Sequence, residues 1–316
     1  MQIGKAILAY EIDLKAENKS PATIRWYTHK LRYFAEWLNE SRSISEVNDV
    51  ESKDVKAFLL RLCNTESAVD GVRQYRKGKA SSLTVHGYAQ VIKTFFGWLT
   101  RNGYLDANPC REMPMPKVEK YVIHAFTTED VRRMLKAAQQ RRHAQRDYAL
   151  VLLLYDTAIR AGELTRLKLE DVDFEGGWLR VSGKGAKERM VPLGQTSKRA
   201  LWRYCNLHRP EPLLPAMREV FLSERREPLS VSGAWRIVRG VASAAKVNGK
   251  RLSPHTMRHA AAEDFLRNGG DAFALQKLLG HTTLTVTRMY VDLVAKDLAE
   301  AHKRASPGDN LRLRVR

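Results

Sequence analysis

The sequence predicts a mainly α protein of two domains: an all-α N-terminal domain of four helices, then a mostly helical domain with one small antiparallel β-sheet. Three observations carry this. The chain has 316 residues, room for about two domains at roughly 150 residues each. Apolar residues recur at helical spacing through most of it, behind Ser, Thr and Pro residues of the kind that start helices. Strand-like extended runs are confined to residues 178–192.

Each element follows in order. Residues 2–16 place Ile3, Ile7, Leu8 and Ile12 at helical spacing. Ser20-Pro21 opens a second helix, Ser as N-cap and Pro as first helical residue. Its stripe is Ile24, Tyr27, Leu31, Phe34 and Leu38. A third helix covers residues 52–62, and Ser81-Ser82 precede a fourth carrying Val85, Tyr88, Val91, Ile92, Phe95, Phe96 and Leu99. Asn108-Pro109 and Pro114-Met115-Pro116 cannot continue a helix, because proline lacks the amide and restrains its predecessor. The predicted division is therefore an N-terminal domain over 1–111, a linker over 112–126, a second domain over 127–303 and a tail over 304–316. Thr127-Thr128-Glu129-Asp130 starts the second domain with an N-cap and acids in the first turn. Trp178–Val181 and Arg189–Pro192 flank a Gly-containing turn, which reads as a hairpin. Val294–Lys303 reads as a short helix. The tail Leu311–Arg316 alternates apolar and basic residues, fitting either a docking strand or a disordered basic end.

Composition narrows the function. Lys and Arg number 54 against 35 Asp and Glu, a formal net charge of +19, with 44% hydrophobic residues. The core is ordinary, so the charge concerns partners: it attracts phosphate polymers or anionic membranes. Residues 1–120 carry 19 basic and 14 acidic side chains, and residues 121–316 carry 35 and 21, so most of the excess lies in the second domain. No apolar run is long enough to cross a bilayer, and the acidic residues in the first helix exclude a secretory signal. Cys63, Cys110 and Cys205 are odd in number and far apart, giving neither a disulfide framework nor a zinc ribbon. A cytoplasmic, nucleoid-associated, nucleic-acid-binding protein is the expectation.

The chain lacks a phosphate-binding P-loop, a dinucleotide fingerprint, HExxH and an obvious set of metal-binding carboxylates. Phosphodiester chemistry here is expected to run without metal or other cofactor. It then needs cations around the transition state, a nucleophile and a proton donor. Arginine suits the first role, with a bidentate fork that stays charged. Arg160 lies where the apolar helix 149–155 ends, and Lys184 lies between two glycines at the hairpin tip. His255 and Arg258, three apart, share a helix face. His281 follows Leu278-Leu279-Gly280, a helix end with a Gly stop, and Tyr290 lies beyond it. Each has a structural alternative. Arg160 can be an ion-pair partner of Glu163, Lys184 a solvated turn residue, His281 a cap and Tyr290 a core aromatic. His255 with His259 has zinc-ligand spacing but no evident third ligand.

In order and spacing, Arg160, Lys184, His255-x-x-Arg258, His281 and Tyr290 resemble the tyrosine recombinase (phage integrase) family. The contexts Ala-Ile-Arg-Ala-Gly-Glu-Leu, Gly-Lys-Gly-Ala-Lys-Glu-Arg-Met-Val-Pro-Leu, Pro-His-Thr-Met-Arg-His and Leu-Leu-Gly-His match that family's pattern as well. The resemblance implies a SAM-like core-binding domain before a catalytic domain. It implies that Tyr290 attacks a DNA phosphate to give a 3′-phosphotyrosine and a free 5′-hydroxyl. Arg160 and Arg258 would clamp the non-bridging oxygens, Lys184 would protonate the leaving oxygen, His255 would give acid–base support and His281 would hydrogen-bond the phosphate. Lys187, also in the hairpin, is not excluded by spacing alone. The implied partners are a double-stranded recombination site and further copies of the chain, four in the synapse. The C-terminal segment would dock in trans, and accessory proteins are an open addition. The N-terminal domain would close a C-shaped clamp, with Arg73, Arg76, Lys77, Lys79 and Lys93 toward the DNA, alongside Lys187 from the catalytic domain. With no domain before the first helix, the chain looks like the simpler Xer-type and transposon-type enzymes. The alternatives are a type IB topoisomerase-like relaxing enzyme and a non-catalytic DNA-binding protein on the same fold.

Overall fold

The computed structural model describes residues 1–64, 80–119, 124–183 and 188–280. The chain divides into two compact units, residues 1–121 and 122–316, a division inside the segment read as the linker.

The first unit holds α1 (Ile3–Ala16), α2 (Pro21–Arg42), α3 (Ser52–Asn64) and α4 (Ser82–Arg101), with a 3₁₀ turn at Val47–Asp49. Their starts are local chemistry. Ser20 Oγ accepts from the Thr23 amide and Ser81 Oγ from the Thr84 amide, each 3.2 Å away. These caps satisfy amides that have no partner inside the helix. The apolar stripes meet in a core rich in rings: Phe34, Phe58, Phe95 and Phe96 are fully buried, and Phe58 sits edge-on to Phe34 with centroids 4.9 Å apart. Truncating such a ring costs about 3–5 kcal/mol. The described part of the linker lies along α4. Met113 is buried, His86 Nδ1 is 2.8 Å from the Pro116 carbonyl, and Ser82 Oγ accepts from the Glu119 amide at 3.1 Å.

The second unit holds α5 (Thr128–Ala138), α6 (Ala144–Thr157), α7 (Ala161–Arg166), β1 (Val172–Asp173), β2 (Trp178–Ser182), β3 (Glu188–Pro192), α8 (Gln195–Arg203), α9 (Val231–Ala244), α10 (Pro254–Arg267) and α11 (Ala272–Leu279). Thr127 and Asp130 form a capping box at α5. The hairpin is present, with Arg180 opposite Met190 and Leu179 opposite Val191. A third strand, β1, pairs antiparallel with β2 and completes the sheet in the order β1-β2-β3. The sequence reading did not anticipate it, because two residues have no periodicity.

Helix α6 is the centre of the unit. Ala149 to Leu154 are all buried, so it is apolar all round, as a helix enclosed by neighbours must be. Polar ties hold α10 to it: Tyr155 Oη donates to Asp264 Oδ2 at 2.5 Å, and Thr128 Oγ1 from α5 donates to the same oxygen at 3.1 Å. No described helix is long and apolar enough to cross a membrane.

Candidate active site

Helix α6 stops at Ala158, whose left-handed backbone (φ 50°) and full burial bend the chain sharply. Two residues later Arg160 takes extended backbone and caps α7. Its amide donates to Glu163 Oε2 at 2.9 Å and its guanidinium to Oε1 at 2.9 Å. The ion pair weighed as an alternative is therefore formed. It does not bury the arginine, whose side chain stays 40% exposed over an almost completely buried carboxylate. Pairing and exposure together give an aimed cation whose remaining edge faces outward.

Arg258 arrives from α10. Ser253 caps this helix, accepting from the Thr256 amide at 3.2 Å, and Pro254 sits at its start. Arg258 is only 6% exposed. It donates Nη1 to the Ala158 carbonyl at 2.5 Å and Nη2 to the Leu279 carbonyl at 2.7 Å. The first ties it to the turn that launches Arg160. The second satisfies an end-of-helix carbonyl of α11, where the helix dipole also favours a cation.

His255 lies one turn before Arg258 on the same helix. The Trp235 ring on α9 stands edge-on to it with centroids 6.1 Å apart, and the Arg251 guanidinium lies 5.6 Å from the Trp235 centroid. Partial burial, then the charges of Arg258, Arg251 and Arg160, hold the His255 pKa below its ordinary 6.5. His259 is lowered too, by burial and then by His255 and Arg258. The neutral imidazole of His255 is thus the resting form at neutral pH, able to take a proton in a positive field. A field of this sign also favours a bound anion.

The structure thereby brings Arg160, His255 and Arg258 together. Lys184, Lys187, His281 and Tyr290, the loop residues Arg73, Arg76, Lys77 and Lys79, and the segments 294–303 and 304–316 lie outside the described residues. Lys93 is described: it is half-buried, and its Nζ donates to the Met113 carbonyl at 2.5 Å. Burial and the Asp264 carboxylate push the Tyr155 hydroxyl up, and burial pushes Tyr204 up to about 12.

Sequence reasoning missed Arg189, Arg251 and Trp235, and it undervalued Glu163. Burial alone would raise the Glu163 pKa. Hydrogen bonds from Arg189 and from the Arg160 amide outweigh that and hold it below the ordinary carboxylate value. The signal for Arg189 was inverted polarity on β3. Val191 is core, so the period of two points Arg189 inward, while Met190 is 55% exposed.

The sequence model of the Phage integrase family matches residues 124–296, and that of the phage integrase N-terminal SAM-like domain matches residues 7–69. The chain is 30% identical over 291 residues to tyrosine recombinase XerD of Listeria innocua, covering 91% of this chain and 93% of that protein. It is 31% identical over 298 residues to tyrosine recombinase XerC of Oceanobacillus iheyensis, covering 93% of each. The fold resembles a lambda integrase dimer bound to a COC′ core site, with a TM-score of 0.71 and 20% identity over 90% of this chain and 97% of that one. The chain belongs to the phage integrase family of tyrosine recombinases, enzymes that cleave and rejoin DNA at specific sites.

Proposed function

We propose that this recombinase acts on duplex DNA through a 3′-phosphotyrosine intermediate and exchanges strands by way of a Holliday junction. The observation that carries it is that Arg160 and Arg258, tied to one another through the Ala158 turn, both act on a His255 held neutral, so two fixed cations stand beside a base. Tyr290 is the nucleophile. Its oxygen forms a bond to phosphorus as the bond to the 5′-oxygen breaks, and its proton passes toward His255. Lys184 gives a proton to the departing 5′-oxygen, and His281 hydrogen-bonds the phosphate. Arg160 and Arg258 balance charge on the non-bridging oxygens, the term that is commonly largest in such reactions. The phosphotyrosine keeps a phosphodiester bond, so attack by a 5′-hydroxyl rejoins DNA with no ATP and no metal ion.

The N-terminal unit is proposed to grip the other face of the duplex through Arg73, Arg76, Lys77, Lys79 and Lys93, with Lys187 as a contact from the hairpin. The lambda integrase relative is a dimer on its core site. For this chain we propose four copies in the synapse, with the C-terminal segment docking in trans, on chromosomal DNA in the cytoplasm.

The test is a suicide duplex built on the sequence that the full chain selects from a random pool. A covalent protein–DNA adduct that forms in EDTA and is absent with Tyr290→Phe supports the reading. A metal requirement, or site-specific binding with no adduct, refutes it.

A further inference from the structure

One partly buried cation near the site has no role in the reaction as described. Arg189 sits on β3 with its side chain 15% exposed, and grips Glu163 with both Nη atoms, at 3.1 Å to Oε1 and 2.9 Å to Oε2. Each Glu163 oxygen therefore holds one donor from Arg160 and one from Arg189. The third donor, Nε, reaches the Leu278 carbonyl at 3.1 Å, at the end of α11. The next carbonyl, Leu279, belongs to Arg258, which also holds Ala158.

These bonds close a circuit. It runs from Arg160 to Glu163, to Arg189, to the Leu278-Leu279 end of α11, to Arg258, to Ala158 and back along the chain to Arg160. A counter-charge for a buried carboxylate needs only the bidentate half of this. The Nε bond spans 89 residues of sequence and ties β3 to the peptide that precedes His281. The contact is close: a Cβ added at Gly280 would lie 3.0 Å from Arg189 Nε. In sequence, Arg189 stands five residues after Lys184, at the turn-side end of β3, opposite Val181.

We infer that Arg189 is a positioning residue for DNA cleavage: it fixes Arg160 through Glu163 and holds the α11 end against the turn-side end of β3. This rests on the recombinase reading. Arg189 touches no reacting atom in it. It sets the register among three separate elements, α7, β3 and α11, each of which is a near neighbour in the chain of a proposed catalytic residue. With Arg189 removed, Glu163 retains Arg160 as a partner but loses the opposing pull that keeps that pair at the mouth of the site.

The test uses the full chain as Arg189→Met and Arg189→Lys, on suicide duplexes carrying either an ordinary scissile phosphate or a methylphosphonate. The methylphosphonate lacks one charged oxygen and so needs less from Arg160. Expected for Arg189→Met are unchanged DNA affinity, single-turnover cleavage of the phosphate slowed on the order of a hundredfold, as ångström-scale misplacement gives, and a much smaller loss on the methylphosphonate. Arg189→Lys recovers part of the rate, since it restores the charge without the fork. Equal losses on both substrates, a rate matching wild type, or a loss that vanishes once rates are corrected for fraction bound would each overturn the inference. Should Arg189→Met melt below the assay temperature, Arg189→Lys carries the same comparison. Wild-type protein that leaves the phosphate duplex intact overturns the recombinase reading instead, a result distinct from any ranking of variants.

Discussion

Gly280→Ala is the sharpest probe of how the site is held together. Gly280 closes α11 with φ +65°, a left-handed conformation. An Ala there costs about 1–2 kcal/mol from the backbone alone. Its Cβ would also lie 3.0 Å from Nε and 3.1 Å from Cδ and Cζ of Arg189. That side chain cannot swing aside without loosening at least one charge-assisted hydrogen bond, worth roughly 1.5–3 kcal/mol. The expected total is about 2.5–5 kcal/mol. Gly249 supplies the control. Its φ is +70°, and nothing lies within 4 Å of an added Cβ. Gly249→Ala therefore isolates the backbone term of about 1–2 kcal/mol. At roughly 2–4 °C per kcal/mol for a unit of this size, Gly249→Ala lowers Tm by roughly 2–8 °C and Gly280→Ala by roughly 5–20 °C. Thermal melts followed by circular dichroism, with the cleavage rate measured well below either Tm, make the comparison. If Gly280→Ala melts with Gly249→Ala and cleaves at the wild-type rate, the Arg189–Gly280 contact contributes nothing and the reasoning fails.

Three further outcomes follow from the same geometry. Lys184→Ala slows cleavage, and a 5′-bridging phosphorothiolate, whose sulfur leaves without a proton, restores much of the rate; absence of rescue moves the proton-donor role to another group, Lys187 first. Burial and the neighbouring arginine charges hold His255 below its ordinary 6.5 in the DNA-free chain, so an NMR titration of that chain places its midpoint below 6.5; a midpoint at or above 6.5 refutes the neutral-imidazole assignment. The sign for stability agrees: between the folded value and 6.5 the unfolded chain binds the proton first, so the His255 and His259 contribution is complete above 6.5 and is lost as pH falls through the folded values. With a net charge of +19, DNA affinity falls steeply with salt while the cleavage rate of the bound complex does not, and a salt-independent affinity would show that the charge excess does not face phosphate.

The helices were legible in the sequence because their causes are local. Ser20, Ser81, Thr127 and Ser253 cap within three residues of themselves, and the apolar stripes bury whatever partner they meet. Arg160, His255 and Arg258 were legible because residue type and order, set against a family pattern, suffice to nominate them. The Glu163 pair was within reach as well, at a spacing of three residues. Tertiary structure decided the rest. It showed that Arg160 is both paired and exposed, a pair of properties that spacing alone leaves as alternatives. It turned Arg189 inward and Met190 outward, against the usual polarity of a strand, because a buried carboxylate 26 residues away supplies the charge that makes an inward arginine stable. It joined Ala158, Arg258 and Leu279 across 100 and 21 residues of chain. The sequence by itself determined which side chains are able to do the chemistry, since caps, stripes and motif order act over one or two helical turns. The structure alone decided how those side chains are held in register, since burial and long-range hydrogen bonds come into being only when distant segments pack.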